Sequence, residues 1–440
     1  MKNKNQKMHV VTVDMGYGHQ RAAYPLASVS TGGVINANQY KGISKKEERS
    51  WQEGRRWYEV ISRFKKVPIL GTIAFAVMDN FQKIEPFYPR RDLSKTSSQQ
   101  RYFYKKVKQG LGRDLINALN KKPAPLVTTF FVPAYFAEYY NYQGPLYCVV
   151  CDADVARAWA PYDARHSKII YLAPNKRVKE RLQLYGVRAS KIYVTGFPLP
   201  KENIGGLQQK VLKADLKRRI CNLDPKGIYR HKYKNLIGEY LCPVSELRAK
   251  SKSVTITFAV GGAGAQREIG ATLLRVLKKH IQAGRININL VAGVRNDIYT
   301  FFEQAVKKNG LSKASNVNIL FAENKTNYFK VFNQALRTTD ILWTKPSELT
   351  FYSGLGLPIM APPIGSQEDY NRDWLQALGA GIDSQDPEYV DEWLFDWLDS
   401  GWLAESAMQG YLDAPKMGTY HIENIVLHNK VQEIEDIQLL

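Results

Sequence analysis

Short apolar runs separated by helical stretches recur along most of the chain. The first predicts a strand over residues 9–13, then a glycine-containing turn, DMGYGHQRAA, and a helix starting near His19. Residues 41–110 read as irregular, basic and aromatic, with helical pieces around 57–64 and 102–119. The runs LVTTFF, LYCVVCDAD, KIIYLAP and KIYVTGF then follow, with a helix over 175–185. A second series begins after residue 252: VTITFAV, GGAGA, a helix to His280, ININLVAG, a helix over 298–309, VNILFA, a helix to Thr339, and DILWTK. GLPIMAPP and a Trp-rich acidic helical end close it. Strands alternating with helices predict parallel sheets.

The expected fold class is α/β, with two Rossmann-like parallel-sheet domains facing a cleft. The expected boundaries are 1–200, a basic linker or insertion over 201–252 (KRRI, IYRHKYK), 253–417, and a C-terminal helix and tail over 418–440. A length of 440 residues suits two enlarged domains.

Charge sharpens this picture. Lys and Arg number 62 against 41 Asp and Glu, a net +21, which points first to an anionic partner. The excess is uneven: net +13 over 1–110, +21 over 111–330 and −13 over 331–440. An evenly coated nucleic-acid binder is disfavoured, and a bipolar molecule with one basic working face is expected. Four cysteines make no disulfide framework and suit a reducing compartment. Cys148 and Cys151 form a CxxC inside a strand, where positions i and i+3 face opposite ways, so zinc binding is not expected. The start carries no secretory signal pattern. The longest apolar stretch, residues 67–78, is well short of the ~20 residues a spanning helix needs.

GGAGAQ, residues 261–266, lies between a strand and a helix. Gly262 and Gly264 would let backbone approach a phosphate at a helix start, and Arg267 adds a cation. Alone this is a weak signal, since a tight turn that binds nothing has the same form. Asp14 and Asp152 stand at strand ends, where α/β sites lie, and are candidate bases. Asp152-Ala153-Asp154 imitates a metal-binding DxD, but no metal site is expected.

Residues 344–381, TKPSELTFYSGLGLPIMAPPIGSQEDYNRDWLQALGAG, are more distinctive. They resemble the donor-site segment of two-Rossmann (GT-B) glycosyltransferases, nearest to monogalactosyldiacylglycerol synthases and the peptidoglycan lipid N-acetylglucosaminyltransferase. Thr344, Lys345, Gly356-Leu357-Pro358, Gln367-Glu368, Asn371 and Gly379-Ala380-Gly381 follow that order. DMGYGHQRAA resembles the family's opening GGGH loop. The stretch from CVVCDADVARAWAP to VTGFPLP resembles its TD-to-GxPV region. The likeness covers about three quarters of the chain, being weak over 25–125 and absent over 201–252. It departs at Phe351, where the family has a ribose-binding Glu that Glu348 would replace, and at Arg157, near the place of a family His.

The resemblance implies an acceptor-binding first domain and a second domain holding a UDP-sugar substrate, with no further cofactor. It places Gly262 and Gly264 at the diphosphate and Gln367 and Glu368 at the sugar hydroxyls. Thr344, Lys345, Glu348, Asn371 and Arg267 join the donor set, and His19, which matches the family's opening-loop His, is a candidate to contact or deprotonate the acceptor hydroxyl. ISRFKKVPILGTIAFAVM, with Trp51, Trp57, Phe81, Phe87 and Tyr88 nearby, combines cations with apolar anchors, as interfacial membrane binding requires. A buried helix with a solvated basic flank is the plain alternative. The expected activity is inverting, metal-independent hexosyl transfer to a diacylglycerol-like lipid, by a cytoplasmic protein peripheral to the inner face of a membrane. The expected partners are UDP-sugar, lipid and anionic surface, with no nucleic acid. The alternatives are a UDP-N-acetylglucosamine epimerase or hydrolase and a non-catalytic basic membrane adaptor.

Overall fold

The computed structural model describes residues 7–53, 84–247, 253–260, 264, 266–362 and 367–431. The chain divides into two compact units, Met1–Pro198 with Met417–Leu440, and Leu199–Lys416. Each holds one six-stranded sheet in which every described strand pair is parallel. The α/β class and the two-sheet layout are those the sequence predicts.

In the first unit the strands are β1 (Met8–Thr12), β2 (Ser30–Asn36), β3 (Leu126–Thr128), β4 (Leu146–Val149), β5 (Ile170–Ala173) and β6 (Ile192–Val194). They lie in the order β2-β1-β3-β4-β5-β6. Val11, Cys148 and Tyr171 face one core, while Val10, Tyr147, Val149 and Leu172 face the other. That two-residue alternation is the strand period, and burial on both faces explains why these strands read as unbroken apolar runs. The helix Gly418–His428 closes the second face with Ile422, Ile425 and Val426. It is therefore part of the first unit and not a separate tail.

The helix expected over 102–119 is two, Ser98–Lys108 and Arg113–Leu119. Gly112 between them has φ +80°, and a Cβ there would sit 2.2 Å from the Phe136 ring. Only glycine fits that turn. The piece expected over 57–64, with Trp57, Phe81 and the apolar run 67–78, lies outside the described residues.

The second unit contains β7 (Val254–Ala259), β8 (Ile286–Gly293), β9 (Val317–Phe321), β10 (Ile341–Thr344), β11 (Ile359–Ala361) and β12 (Gly381–Asp383). Their order is β12-β11-β10-β7-β8-β9. This is the doubly wound 3-2-1-4-5-6 arrangement, with its reversal between β7 and β10.

Residues 201–247 differ from the expected linker. The helix α1 (Lys210–Leu223) buries Leu212, Leu216 and Ile220 in the second unit. Its fully buried Arg219 donates to the carbonyls of Thr339, Leu355 and Gly356 at 2.9 Å each, and of Leu336 at 3.4 Å. Arg218 pairs with the buried Asp340 at 2.6 Å, and Asp215 with Arg337. A composition count assigns these cations to solvent, but their partners are internal.

Candidate active site

In the first unit the candidates gather at the carboxyl ends of β1, β3 and β4. Asp14 follows β1, and the Asn38 amide pins its backbone. The Asp14 N–H donates to Asn38 Oδ1 at 2.9 Å, and Asn38 Nδ2 returns a bond to the Asp14 carbonyl at 3.2 Å. His19 lies in the first turn of the short helix Gly18–Ala23, and its Nδ1 is 2.8 Å from the Thr129 carbonyl oxygen. A carbonyl only accepts, so Nδ1 carries a proton and Nε2 holds the lone pair of the neutral ring. The rings of Phe130 and Trp159, with centroids 4.6 and 6.2 Å away, fix the imidazole plane. Asp152 follows β4 and is half-buried.

Asp154 is not available as the second carboxylate of a DxD pair. Arg181 clamps both its oxygens at 2.9 Å, with both side chains buried. Arg157, near the place of the family His, is also structural. It reaches the carbonyls of Ser94 (2.7 Å) and Ala160 (2.8 Å), and burial lowers its pKa. All four cysteines are buried free thiols, and burial pushes that of Cys148 up.

The expected aromatic anchors divide. Trp51 and Phe87 belong to the buried set, Phe87 lying 4.0 Å beneath the Arg177 guanidinium. Tyr88 is 64% exposed. Beside it, Arg90, Arg91, Asp92 and Arg165 line a shallow recess of about 370 Å³. Among the described residues no helix is long and apolar enough to cross a membrane.

In the second unit, β7 leads through the glycine loop into α2 (Arg267–Val276). Gly262 lies outside the described residues, whereas Gly264 is placed at φ +73°. Arg267 turns aside. Its guanidinium lies 4.6 Å over the Phe301 ring of α3 (Asn296–Lys308) and 3.4 Å from Glu268. Thr344 ends β10 beside Ala259 of β7 and donates to the Ala259 carbonyl at 3.3 Å, so the two strand ends at the reversal are tied together. Its hydroxyl is buried there and acts as a tie.

Lys345 is brought to Glu368, and the two form an ion pair. Glu368 sits in the first turn of α4 (Gln367–Ala377), which Gln367 opens. Asn371, one turn later, is buried. Glu348 begins the 3-10 helix Glu348–Leu355, just beyond β10. Phe351 on that helix is buried, its ring centroid 4.9 Å from that of Trp374. The position of the family's ribose-binding carboxylate therefore serves the core here.

Sequence reasoning missed Arg295. It lies between β8 and α3, and its guanidinium reaches Gly264 of the β7 loop. The available signal was a cation at the end of the neighbouring strand, in AGVRND.

No protein-family model matches the chain, and neither does any curated protein sequence. Solved structures with a similar chain layout include a Listeria monocytogenes protein provisionally named a UDP-N-acetylglucosamine 2-epimerase. It has a TM-score of 0.48 at 10% identity over 98% of this chain and 99% of that one. Staphylococcus aureus MnaA with UDP gives 0.45 at 11%, over 97% and 99%. The glycosyltransferase SnogD from Streptomyces nogalater gives 0.44 at 14%, over 96% and 99%. None of these likenesses bears on chemistry.

Proposed function

We propose that the protein is a metal-independent glycosyltransferase that moves a hexosyl group from a UDP-sugar to a hydroxyl of a diacylglycerol-like membrane lipid. One observation carries the donor half of this reading. At the reversal point of a doubly wound sheet, the Gly264 loop, Lys345, Glu348 and the Glu368 helix start all follow β7, β10 or β11. Open α/β sheets bind ligands at that end. Loop amides and cations suit a diphosphate, and a carboxylate with the neighbouring Gln367 amide suits adjacent sugar hydroxyls.

The acceptor half rests on the sequence resemblance and on the basic recess of the first unit. With a deprotonating base at His19 Nε2, the acceptor oxygen bonds to the anomeric carbon as the bond to the β-phosphate oxygen breaks. UDP leaves with the electron pair, and the acceptor proton passes to His19. Cations and amides at the donor loop stabilise the departing charge. The protein would work peripherally at the cytoplasmic face of a membrane.

The test is incubation with diacylglycerol-containing vesicles and radiolabelled UDP-glucose, UDP-galactose or UDP-N-acetylglucosamine. Label in an organic-extractable product is expected, with His19→Ala lowering its rate by about 10²–10⁴-fold. Free sugar or an epimer would point to the epimerase or hydrolase reading instead. Absence of UDP binding by calorimetry would leave only the adaptor.

A further inference from the structure

We infer that the tryptophan-rich helix of the second unit is a docking surface, and that its occupant is the basic first unit of a second copy of this chain. The helix is α5 (Val390–Ser400), part of the acidic end that the sequence marks and that the proposed reaction does not use. Its Leu394 and Leu398 are buried in the core. Trp393 and Trp397, four residues apart, form a row that Tyr389 extends at one end and Trp402 at the other. The Trp397 ring centroid lies 4.5 Å from that of Trp393 and 5.0 Å from that of Trp402. Tyr389 is 59% exposed and Trp402 45%, and the two rings between them are half-buried. Gly401 packs against Tyr229, which brings the exposed Ile228 to the Trp402 end of the row. An open row of aromatic rings with a polar rim is the composition of an interface core.

Charge selects the occupant. Residues 383–405 hold eight acidic side chains and no Lys, Arg or His. Asp383, Glu388 and Asp399 are paired with Arg372, Arg275 and Lys226. Asp391, Glu392 and Asp396 are exposed and form no ion pair among the described residues. Glu392 and Asp396 share the helix line beside the tryptophans, so a partner seated on the rings meets their carboxylates. That surface repels an anionic membrane, and it repels the same surface of a second copy. It favours Lys and Arg, which also stack on indole rings. The first unit carries a net +16 and exposes Arg90, Arg91 and Arg165 around one shallow recess, and Arg165 forms no ion pair among the described residues. Second unit on first unit is a head-to-tail contact, so each added copy leaves one face of each kind open.

Sedimentation velocity of the full-length protein, from about 1 to about 100 μM, tests the contact. Association should grow with concentration and weaken about tenfold or more between about 0.05 and about 0.3 M salt. Trp402→Ala should weaken it about tenfold or more. Glu392→Lys combined with Asp396→Lys alters only exposed positions and should abolish self-association. Thermal melts check that both variants are folded, and the charge variant carries the test if the tryptophan variant is not. The charge variant keeps its basic first unit, so a fluorescently labelled sample of it should still bind unlabelled wild type. A wild-type protein that stays monomeric over the whole range overturns the inference, and so does association that neither salt nor the charge variant changes. Failure of the labelled variant to bind wild type would mean stripe against stripe and overturns the head-to-tail pairing. No readout involves a nucleotide, so the outcome is independent of the UDP-sugar reading.

Discussion

Replacing Arg219 by methionine separates an internal strut from a solvated basic insertion. Methionine has a similar length and no charge, so the change removes the guanidinium while filling most of its volume. Four carbonyl contacts disappear, three of 2.9 Å and one of 3.4 Å, from Thr339, Leu355, Gly356 and Leu336. Thr339 keeps a contact from Arg218 Nη2 at 3.4 Å, so three acceptors are orphaned, and at about 1–3 kcal/mol each they cost about 3–9 kcal/mol. Against this stands the desolvation that the charge no longer suffers. Burial and the nearby Arg218 lower the Arg219 pKa to about 10. At about 1.4 kcal/mol per tenfold, the relief is about 3 kcal/mol.

The carbonyl term wins, because relief of desolvation is bounded while the orphaned acceptors cannot reach water. Taking about 6 kcal/mol as the middle of the carbonyl cost against about 3 kcal/mol of relief, the net loss should be about 3 kcal/mol, read from the midpoint of urea unfolding at constant slope. Leu355 and Gly356 end the 3-10 helix that begins at Glu348, so UDP affinity should fall along with stability. A loss below about 0.5 kcal/mol, typical of exposed sites, would refute the strut.

Two further predictions concern buried positions. Glu47 accepts the Gly112 N–H at 3.0 Å and the Tyr40 hydroxyl at 3.1 Å, and burial pushes its carboxyl pKa up. A raised folded pKa means that its contribution is complete below the unfolded value of about 4.3 and is lost as pH rises through the folded one. The stability advantage of wild type over Glu47→Gln, from urea midpoints between about pH 4 and 7, should therefore shrink as pH rises; a widening gap would contradict this. Phe351→Glu, which puts the resembled family's residue type at this position, should cost about 3–5 kcal/mol through lost packing on Trp374 and leave UDP no tighter. A stable variant with improved UDP affinity in calorimetry would contradict the proposal that Glu348 serves a ribose in its place.

Most strands were legible because parallel strands covered on both faces are buried at every position, as β1 and β4 are, and so are mostly apolar. β2 was not, since STGGVIN is a largely exposed edge segment whose polar residues give no alternation. β12 is only three residues long, below the length at which a period is visible. Candidate site residues announced themselves when their neighbours in sequence carried the pattern, as Thr344 to Asn371 do. Arg295 and Arg219 were opaque for the opposite reason. Each owes its environment to groups distant in sequence: Gly264 for one, and carbonyls beyond β9 for the other. Linear composition registers a cation but not whether an acceptor lies within 3 Å of it.

The same reasoning relocates the charge. Along the sequence, the middle of the chain is the most basic part and the end is acidic. Folding puts most of both in one unit, where Lys226 meets Asp399 at 2.9 Å and Arg275 meets Glu388. Counted by unit, residues 199–416 hold 28 basic and 23 acidic side chains, a net +5. The first unit, with the returning terminal segment, holds 34 against 18, a net +16. The expected basic-to-acidic dipole along the chain is thereby replaced by one strongly basic unit and one near balance. Long-range attraction to an anionic surface scales with the net charge of the body that approaches it, and screening confines it to about 8 Å at physiological salt. An anionic membrane would therefore act on the unit that carries His19 and the Arg90–Arg91–Arg165 recess. On the proposed function, the nearly balanced unit would hold its UDP-sugar through the few cations at its strand ends.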